Sequence, residues 1–308
     1  MPPPSPVTTV PLPSLAASPA WPGLLLALAG AIAFSGKAII VKLAYRHGVD
    51  AVVLLMYRML LAMPLFMLMA WWAGRGQPPL SWRDRGVVAA LGFSGFYLAS
   101  YLDFLGLQYI SASLERLILY LTPTFVLLIG WLRQGRRATR LQLLAMLVSY
   151  AGVGLVFGHE LGLDRPQVAL GAFLVLLSTI SYSLYLAFIG EVVPRIGALR
   201  LTGQASSVAC VLCIGQFLLL RPLSAGAVPE PVLWLSLLNA VACTVTPVLL
   251  TMMAIERLGS TLTSQVGMVG PVSTILLGVL LLGEPFTAWT AAGTLGVLAG
   301  VGLLARWR

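Results

Sequence analysis

The sequence predicts an all-α membrane protein in which ten transmembrane helices form two inverted five-helix repeats around a central cavity. Three observations predict this fold class: an apolar composition with few charges, ten apolar segments of membrane-spanning length, and a self-similarity of the chain at an offset of 148 residues. The segments are interpreted as helices because each is long enough to cross a bilayer in that form.

The composition excludes an ordinary soluble domain. Of the 308 residues, 59% are hydrophobic and only 9% are charged, whereas a soluble domain has about 25% charged residues. So few charges cannot cover a surface that faces water. Almost no sequence remains outside the apolar segments, which leaves no room for a soluble catalytic domain.

The apolar segments are about 18–24 residues long, which matches the thickness of a bilayer core. They lack the alternation of polar and apolar residues that marks the strands of a membrane barrel. Residues 1–21 are uncharged and rich in Pro and Ser, so we expect a disordered tail without the basic segment of a signal peptide. The ten predicted spans are residues 22–44, 50–73, 86–107, 110–132, 139–157, 167–189, 201–220, 232–255, 259–283 and 287–305.

The two halves of the chain repeat each other. The pentapeptide Ala-Gly-Val-Gly-Leu that begins at Ala151 returns at Ala299, and at the same offset Pro123 aligns with Pro271. Glycine and proline matches carry weight because they mark backbone positions rather than apolar bulk. The two predicted five-helix repeats are residues 22–157 and residues 167–305.

Five spans per repeat is an odd number, so the second copy must enter the membrane from the opposite side. The loop charges agree with this inversion. The loop "RQGRRATR" after the fourth span is strongly basic, whereas its counterpart "LGEPFTAW" carries one acid and no base. Inverted repeats recur in secondary transporters, where the substrate site lies near the midplane between the halves.

The distribution of arginines predicts the orientation in the membrane. With the N-terminus inside, the cytoplasmic connections carry twelve arginines and the opposite side carries Arg46, Arg165 and Arg221. The positive-inside rule therefore places both termini in the cytoplasm. Because the basic net charge reflects topology, we expect no nucleic-acid partner. The twelve arginines are Arg75, Arg83, Arg85, Arg133, Arg136, Arg137, Arg140, Arg195, Arg200, Arg257, Arg306 and Arg308.

Pro123 and Pro271 lie in equivalent spans, in "LTPTF" and "VGPVS". Each removes a backbone donor and kinks a helix. We interpret them as a pair of hinges that lets these helices rock between two access states; a static kink tolerated by packing is the alternative. Cys210 and Cys213 form a C-x-x-C inside an apolar span without further ligands, so we expect packing and no metal or cofactor.

The segment "GEPFTAWTAAGTLGVLAGVGLL", preceded by "STLTSQVGMVGPVSTILLGVLLL", resembles the EamA family of the drug/metabolite transporter superfamily. The resemblance covers residues 22–305 and implies ten helices in two inverted repeats around a central cavity. Within it, "FYLASYLDFLGLQYISAS" resembles the YddG-type exporters of aromatic and other amino acids. That likeness implies that four tyrosines bind substrate: Tyr97, Tyr101, Tyr120 and Tyr182.

The residues themselves support part of this set. Tyr97 and Tyr101 lie one turn apart on one face of the third span. Tyrosine hydroxyls are costly in hydrocarbon without a partner, and a wet cavity supplies one. Plain packing is the alternative. In the sixth span, Tyr182 and Tyr185 are equivalent to two candidates in the first span, Phe34 and Lys37.

Charges inside spans are functional candidates because each costs about 2.5–3.5 kcal/mol at the helix centre on insertion scales. Lys37 lies midway through the first span, and we expect it to bind the carboxylate of a zwitterionic substrate. The alternative is that Lys37 and Arg58 reach to the interface or pair with Asp103 and lock the bundle.

Other polar residues receive weaker assignments. Glu115 and Arg116 are expected at the outer rim of the fourth span, and Glu284 in a loop or helix cap. Asn239 is one of several polar residues in apolar spans that add hydrogen-bonding groups to the predicted substrate site.

These observations predict a monomeric exporter of amino acids in the bacterial inner membrane, with small-molecule substrates and the lipid bilayer as its partners. A multidrug or other small-metabolite exporter is the main alternative; such a pump for cations is expected to keep an accessible acid in its cavity, and Lys37 argues against it. An intramembrane enzyme is disfavoured because His159-Glu160 is not followed by the second histidine of H-E-x-x-H, and no G-x-S-x-G occurs. A channel is disfavoured because paired prolines in a repeat favour alternating access.

Overall fold

The computed structural model describes residues 21–134, 139–162, 167–267 and 269–305, and every regular element in them is helical. The predicted tail lies outside these residues apart from Trp21, which begins the first helix. The α-helices are α1 Trp21–Tyr45, α2 Ala51–Gly74, α3 Trp82–Gly92, α4 Ala99–Leu107, α5 Ala112–Leu119, α6 Thr122–Gln134, α7 Arg140–Leu161, α8 Val168–Ile196, α9 Ala198–Leu220, α10 Glu230–Ala240, α11 Thr246–Gly267, α12 Val269–Leu277 and α13 Ala288–Ala305.

The helices confirm a multi-pass membrane architecture. Eight helical segments in the described ranges are long and apolar enough to cross a bilayer, and two shorter apolar ones, Val269–Leu282 and Ala288–Leu303, follow them. Their order along the chain matches that of the predicted spans. Some are composite: α3 and α4 join through a π-helical segment into one apolar stretch, Trp82–Leu107.

The offset of 148 residues reappears in the local structure. The helix α3 begins at Trp82 and α10 begins at Glu230. Each is followed by a π-helical segment, Phe93–Leu98 in the first half and Val241–Val245 in the second. An extra residue per turn is rare in helices and occurs often at functional sites. Its presence at equivalent places shows that the two halves share more than hydrophobicity.

Equivalent helices of the two halves pack against each other in opposite directions. At the start of α2, the Asp50 carboxylate lies 2.8 Å from Nε of Arg221, just beyond the end of α9. Near the other end of α2, Ala70 packs directly against Gly203, close to the start of α9. The helices α2 and α9 therefore run antiparallel, and the glycine contacts between α7 and α13 show the same relation.

The helices α1 and α8 each pack on helices of the other half of the chain. The helix α1 packs on α11 and α12, and its equivalent α8 packs on α4 and α6. Hydrogen bonds fix the second pair: Ser178 Oγ donates to the carbonyl of Ala99, and Ser181 Oγ donates to that of Ser94, each at 2.7 Å. The largest apolar core lies beside these contacts and contains Cys210 and Cys213 as free buried thiols.

Pro123 lies where a helix is interrupted, and Pro271 lies near the start of the described range that begins at Val269. The helix α5 ends at Leu119 and α6 starts at Thr122. Pro123 therefore occupies the first turn of α6, where a missing N–H is tolerated. The Thr122 hydroxyl donates to the Leu119 carbonyl at 2.6 Å, which is the acceptor that a residue with an N–H at position 123 would have used. In the second half, Pro271 lies in α12, four residues after Gly267, and residue 268 between α11 and α12 is outside the described residues.

The apolar span ends at Ile255, as predicted, although helical hydrogen bonding continues across the break predicted between residues 255 and 259, from Thr246 to Gly267. None of residues 256–266 is proline, so every one of them can donate a helical hydrogen bond. The contacts nevertheless show the chain turning back: Leu258 packs on Gly23 near the start of α1, whereas the carbonyl of Gly270 accepts a hydrogen bond from Ser35 near its middle.

Candidate functional site

A cavity of about 260 Å³ lies between both halves of the molecule, and we call it the central cavity. Four regions meet there: the middle of α1, the helix α4, the end of α5 with the break that follows it, and the middle of α8. Its walls combine aromatic rings, hydroxyls and charged groups. The lining residues are Phe34, Lys37, Ala99, Ser100, Asp103, Arg116, Leu119, Tyr120, Thr122, Ser178 and Tyr182.

An ion cluster closes one side of the central cavity. Lys37 Nζ donates to Oδ2 of Asp103 at 2.6 Å and lies 3.4 Å from Oε1 of Glu115. Glu115 is completely buried, and the other two residues are nearly so. Among the described residues, Oδ1 of Asp103 and both carboxylate oxygens of Glu115 accept no hydrogen bond. Two buried carboxylates thus share one ammonium group, and the cluster keeps unused acceptors.

Arg116 brings a second positive charge to the same cavity. Its guanidinium carbon lies 5.2 Å from the centre of the Phe34 ring and 5.5 Å from that of Tyr120, which is within cation–π range. Nη2 donates to Ser35 Oγ at 3.4 Å, and Nε has no partner in the described part of the chain. No described carboxylate lies within 4.0 Å of this guanidinium. The buried cation can therefore bind the carboxylate of a ligand.

Tyr120 links the central cavity to the segment that precedes Pro271 in the second half. Its hydroxyl donates to the carbonyl of Gly267 at 2.6 Å. That carbonyl lies four residues before Pro271, which has no N–H to offer it. A β-carbon on Gly270 would lie 2.6 Å from both Tyr120 Oη and Arg116 Nη2, so the absence of a side chain there permits the contact.

The aromatic wall consists of Phe34 and Tyr182, which are each more than a third exposed in the isolated chain. They lie on α1 and α8, which are equivalent helices of the two halves, and at equivalent positions. Tyr182 also stacks on Tyr185, with ring centres 5.7 Å apart. An apolar substituent of a ligand could lie between these rings while its charged groups reach Arg116 and Asp103.

The structure brings together only half of the predicted substrate residues. Phe34, Lys37, Tyr120 and Tyr182 line the central cavity. The other predicted residues are not among its lining residues. They are Tyr97, Tyr101, Tyr185 and Asn239.

Tyr97 and Tyr101 stack on each other with ring centres 6.4 Å apart and pack against the apolar core around α2 and α9. Tyr185 is buried against α3, where its ring contacts Phe96 at 5.0 Å between centres. In this conformation all three rings contribute to packing between helices.

Asn239 belongs to a separate buried polar cluster. Its carbonyl accepts a hydrogen bond from Thr244 Oγ1 at 2.8 Å, across the π-helical segment. The same hydroxyl accepts a bond from Nε of Arg58 at 2.9 Å. Arg58 also lies over the Phe104 ring at 5.2 Å, so the sequence expectation that it pairs with Asp103 is replaced by this contact.

Two charged residues were misplaced by sequence reasoning. Glu115 and Arg116 were expected at the outer rim, but both are buried and border the central cavity or its ion cluster. The sequence did contain a usable signal, because Arg116 and Tyr120 are four residues apart and therefore share a helix face. If Tyr120 lines the cavity, Arg116 on the same helix face is expected to line it too. The alternative reading of Lys37, an ion pair with Asp103, is what the structure shows.

A second cavity, of about 460 Å³, lies at the end of the molecule where the connections after α1, after α4 and before α13 meet. We call it the end cavity. Glu284 lies there on a turn that Gly283 makes with a positive φ of 72°. Its carboxylate accepts hydrogen bonds from the amides of Ala112 and Ser113 at 2.7 and 3.2 Å.

Glu284 thus caps the N-terminus of α5 from the other half of the chain, as the sequence analysis expected of a cap residue. Glu160 supports the same terminus by accepting hydrogen bonds from the amide and hydroxyl of Ser111. Two carboxylates therefore hold the helix that carries Glu115 and Arg116.

Comparison with known proteins gives a consistent result. The model of the EamA-like transporter family matches residues 21–158 and again residues 169–306. The chain is 32% identical to the uncharacterized transporter YcbK of Bacillus subtilis, over 85% of this chain and 86% of that protein. It is 25% identical to an uncharacterized transporter of Archaeoglobus fulgidus, over 74% and 80% of the two chains. A solved crystal structure with a TM-score of 0.61 and 17% identity covers 93% of this chain and 98% of that chain, which shows a shared fold.

Proposed function

Because the chain belongs to the EamA-like transporter family, we propose that it exports amino acids, both aromatic and other neutral ones, by alternating access. We place it in the bacterial inner membrane with both termini in the cytoplasm, on the arginine distribution given above. The observation that carries the substrate assignment is the presence, around one cavity, of the Arg116 cation, which forms no ion pair among the described residues, and of the unused acceptor Oδ1 of Asp103.

The charges of the central cavity suit a zwitterion better than a simple anion or cation. A substrate carboxylate would approach Arg116, whose guanidinium can bind it with two parallel hydrogen bonds. The substrate ammonium would approach Oδ1 of Asp103, which has no other partner among the described residues. In the conformation described, Lys37 holds Asp103 and Arg116 is the first partner of the substrate carboxylate, which revises the role expected of Lys37 from the sequence.

The size of the cavity and its aromatic walls favour a side chain that is apolar or aromatic. A volume of about 260 Å³ is below the range of about 300–1,000 Å³ that is typical of drug-sized ligands. Phe34 and Tyr182 supply ring faces for such a side chain. The two buried acids do not favour a multidrug exporter of cations, because Lys37 already occupies the space between them.

Alternating access is supported by the relation between the two halves. The equivalent helices α2 and α9 run antiparallel, as do α7 and α13, and the regions around the two prolines meet where Tyr120 bonds to Gly267. In an inverted repeat, exchange of the two conformations between the halves moves the opening from one side of the membrane to the other. We propose ten spans, with Pro123 and Pro271 as the hinges.

The test is transport by the purified protein in proteoliposomes. We expect saturable counterflow of radiolabelled phenylalanine and methionine, and no flux of ethidium. Ethidium flux without amino-acid flux would replace this proposal with the multidrug alternative. Absence of saturable amino-acid flux in vesicles that contain folded protein would overturn it.

A further inference from the structure

The central cavity and the end cavity lie in line along the same three elements. On α1, Lys37 faces the central cavity and Lys42 faces the end cavity. On α5, Arg116 lines the central cavity and Ser113 lines the end cavity. In α4 and the connection after it, Asp103 lines the central cavity and Gln108 lines the end cavity. The two cavities share no lining residue.

Only a thin septum separates them. The facing residues are three to five positions apart on each element, which corresponds to about 4.5–7.5 Å along a helix axis. The septum includes the fully buried Val41 of α1 and Leu107 of α4, which lie between the facing residues and belong to one apolar cluster. The ion cluster of Lys37, Asp103 and Glu115 forms its surface toward the central cavity.

We propose that this septum is the gate between the substrate site and the end of the molecule that contains Arg46, and that its ion cluster makes the gate respond to a zwitterionic substrate. The inference rests on the proposed function for the identity of the substrate, but the gate itself does not depend on it. The ion pair holds α1 to α4, and Glu115 adds α5, so the three helices can separate only when these contacts are exchanged for others.

A zwitterion offers that exchange. Its ammonium competes with Lys37 for Asp103, and its carboxylate can then attract the released Lys37 as well as Arg116. A ligand that carries only one of the two charges can make only half of this exchange. An ammonium alone would leave Lys37 with Glu115 as its only close carboxylate among the described residues, and a carboxylate alone would leave the pair of Lys37 and Asp103 unbroken. The gate therefore selects for substrates that carry both charges, in addition to any selection by the cavity walls.

The end cavity supplies the second half of the gate. The carboxylate of Glu284 and the carbonyl of Leu282 hold α5 and the end of α1, the latter through a hydrogen bond from Arg46 Nη2 at 2.7 Å. These contacts come from the connection before α13, in the second half of the chain. Opening toward this end must separate them, so movement of the second half and loss of the ion cluster are coupled through α5.

Accessibility of introduced cysteines tests the gate without transport. The background replaces the three native buried cysteines with alanine, and the probes are Ser100→Cys in the central cavity and Gln108→Cys in the end cavity. A membrane-impermeant maleimide is applied to right-side-out and to inverted membrane vesicles. From the Arg46 side we expect Gln108→Cys to react at least tenfold faster than Ser100→Cys. From the other side we expect the order to reverse.

Charge removal then tests the ion cluster. Asp103→Asn, and Glu115→Gln as a second variant, should each raise the reactivity of the Ser100→Cys probe from the Arg46 side at least fivefold. The control is Asp50→Asn, which makes the same chemical change in the exposed pair with Arg221 and should have no effect. Only variants that elute as a single peak in detergent are labelled.

Three results would overturn the gate: equal reactivity of the Ser100→Cys probe from both sides, both probes reacting from one side only, or a charge removal that changes nothing in a folded variant. Saturating phenylalanine should raise the reactivity of the Ser100→Cys probe from the Arg46 side. If phenylalanine has no effect while the sidedness and the Asp103→Asn effect are seen, the gate stands and the proposed substrate fails.

Discussion

The hydroxyl of Tyr120 donates a hydrogen bond of 2.6 Å to the carbonyl of Gly267, across the boundary between the two halves of the protein. Gly267 lies four residues before Pro271, so its carbonyl lacks the helical donor that any other residue at 271 could supply. A cavity residue of the first half therefore satisfies the backbone defect of the second. Ligand contact with the Tyr120 ring is therefore coupled to the backbone just before Pro271 through one hydrogen bond.

Replacing Tyr120 with phenylalanine should weaken that coupling. Tyr120→Phe keeps the ring but leaves the Gly267 carbonyl without its donor, at a cost of about 1–2 kcal/mol. We expect a lower melting temperature in detergent and a several-fold lower rate of phenylalanine counterflow. The control is Tyr150→Phe on α7, where the tyrosine is partly exposed and its hydroxyl bonds to no described residue. Equal losses in the two variants would argue against a specific role of the hydroxyl.

The prolines should act as hinges because each one removes a helical hydrogen bond. Pro271→Ala restores an N–H that can compete with Tyr120 for the Gly267 carbonyl, and Pro123→Ala does the same toward Leu119. We expect both variants to bind substrate with little change in affinity but to transport it several-fold more slowly.

Pro64→Ala provides the comparison, because Pro64 is an exposed proline within the continuous helix α2. Its transport rate should be close to that of the unmodified protein. Unchanged transport in both hinge variants would show that Pro123 and Pro271 are static features of the packing.

The path of the chain could be predicted from sequence because the signals are local or repeated. Apolar length gives the spans, and Pro123 marks the interruption before α6. The offset of 148 residues correctly relates the π-helical segments that begin at Phe93 and Val241, although nothing in the sequence predicts a π-helix there. The turn near Leu258 could not be assigned locally, because contacts with α1 reveal it and hydrogen bonding does not.

The candidate site was less predictable because its contacts join distant parts of the chain. Lys37 bonds to a residue 66 positions away, and periodicity within one helix cannot choose that partner. Tyr97 and Tyr101 form the convincing aromatic stripe that sequence reasoning favoured, yet their face of the helix meets the apolar core. Position relative to neighbouring helices decides between packing and cavity, and a single sequence does not contain that information.

Arg116 should determine recognition of the substrate carboxylate. Arg116→Gln removes the charge and should weaken phenylalanine binding 10- to 100-fold, which is about 1.4–2.8 kcal/mol. Binding of phenethylamine, which lacks the carboxylate, should be weak in both proteins and should change little. Arg133→Gln is the control, since Arg133 forms an exposed pair with Glu191 at the end of α6. If Arg116→Gln binds phenylalanine normally, the carboxylate is held elsewhere.

Lys37 should be required for the stability of the folded protein because two buried acids depend on its ammonium group. Lys37→Met leaves Asp103 and Glu115 buried without the ammonium between them, and loss of one partner of a buried pair costs about 3–5 kcal/mol. We expect a large fall in melting temperature in detergent. The double variant Lys37→Met/Asp103→Asn should recover part of it, because one uncompensated charge is then removed. A double variant less stable than Lys37→Met alone would contradict an ion-pair role.

The inverted arrangement of the two halves underlies the whole transport account, and one measurement tests it directly. Arg140 and Ala288 are exposed residues at equivalent positions, at the first residues of α7 and α13. Each is replaced by cysteine in the cysteine-free background and labelled with an impermeant maleimide from either side of the membrane. The account predicts that position 140 reacts only from the cytoplasmic side and position 288 only from the opposite side. Reaction of both positions from the same side would contradict the inverted repeat and the alternating access built on it.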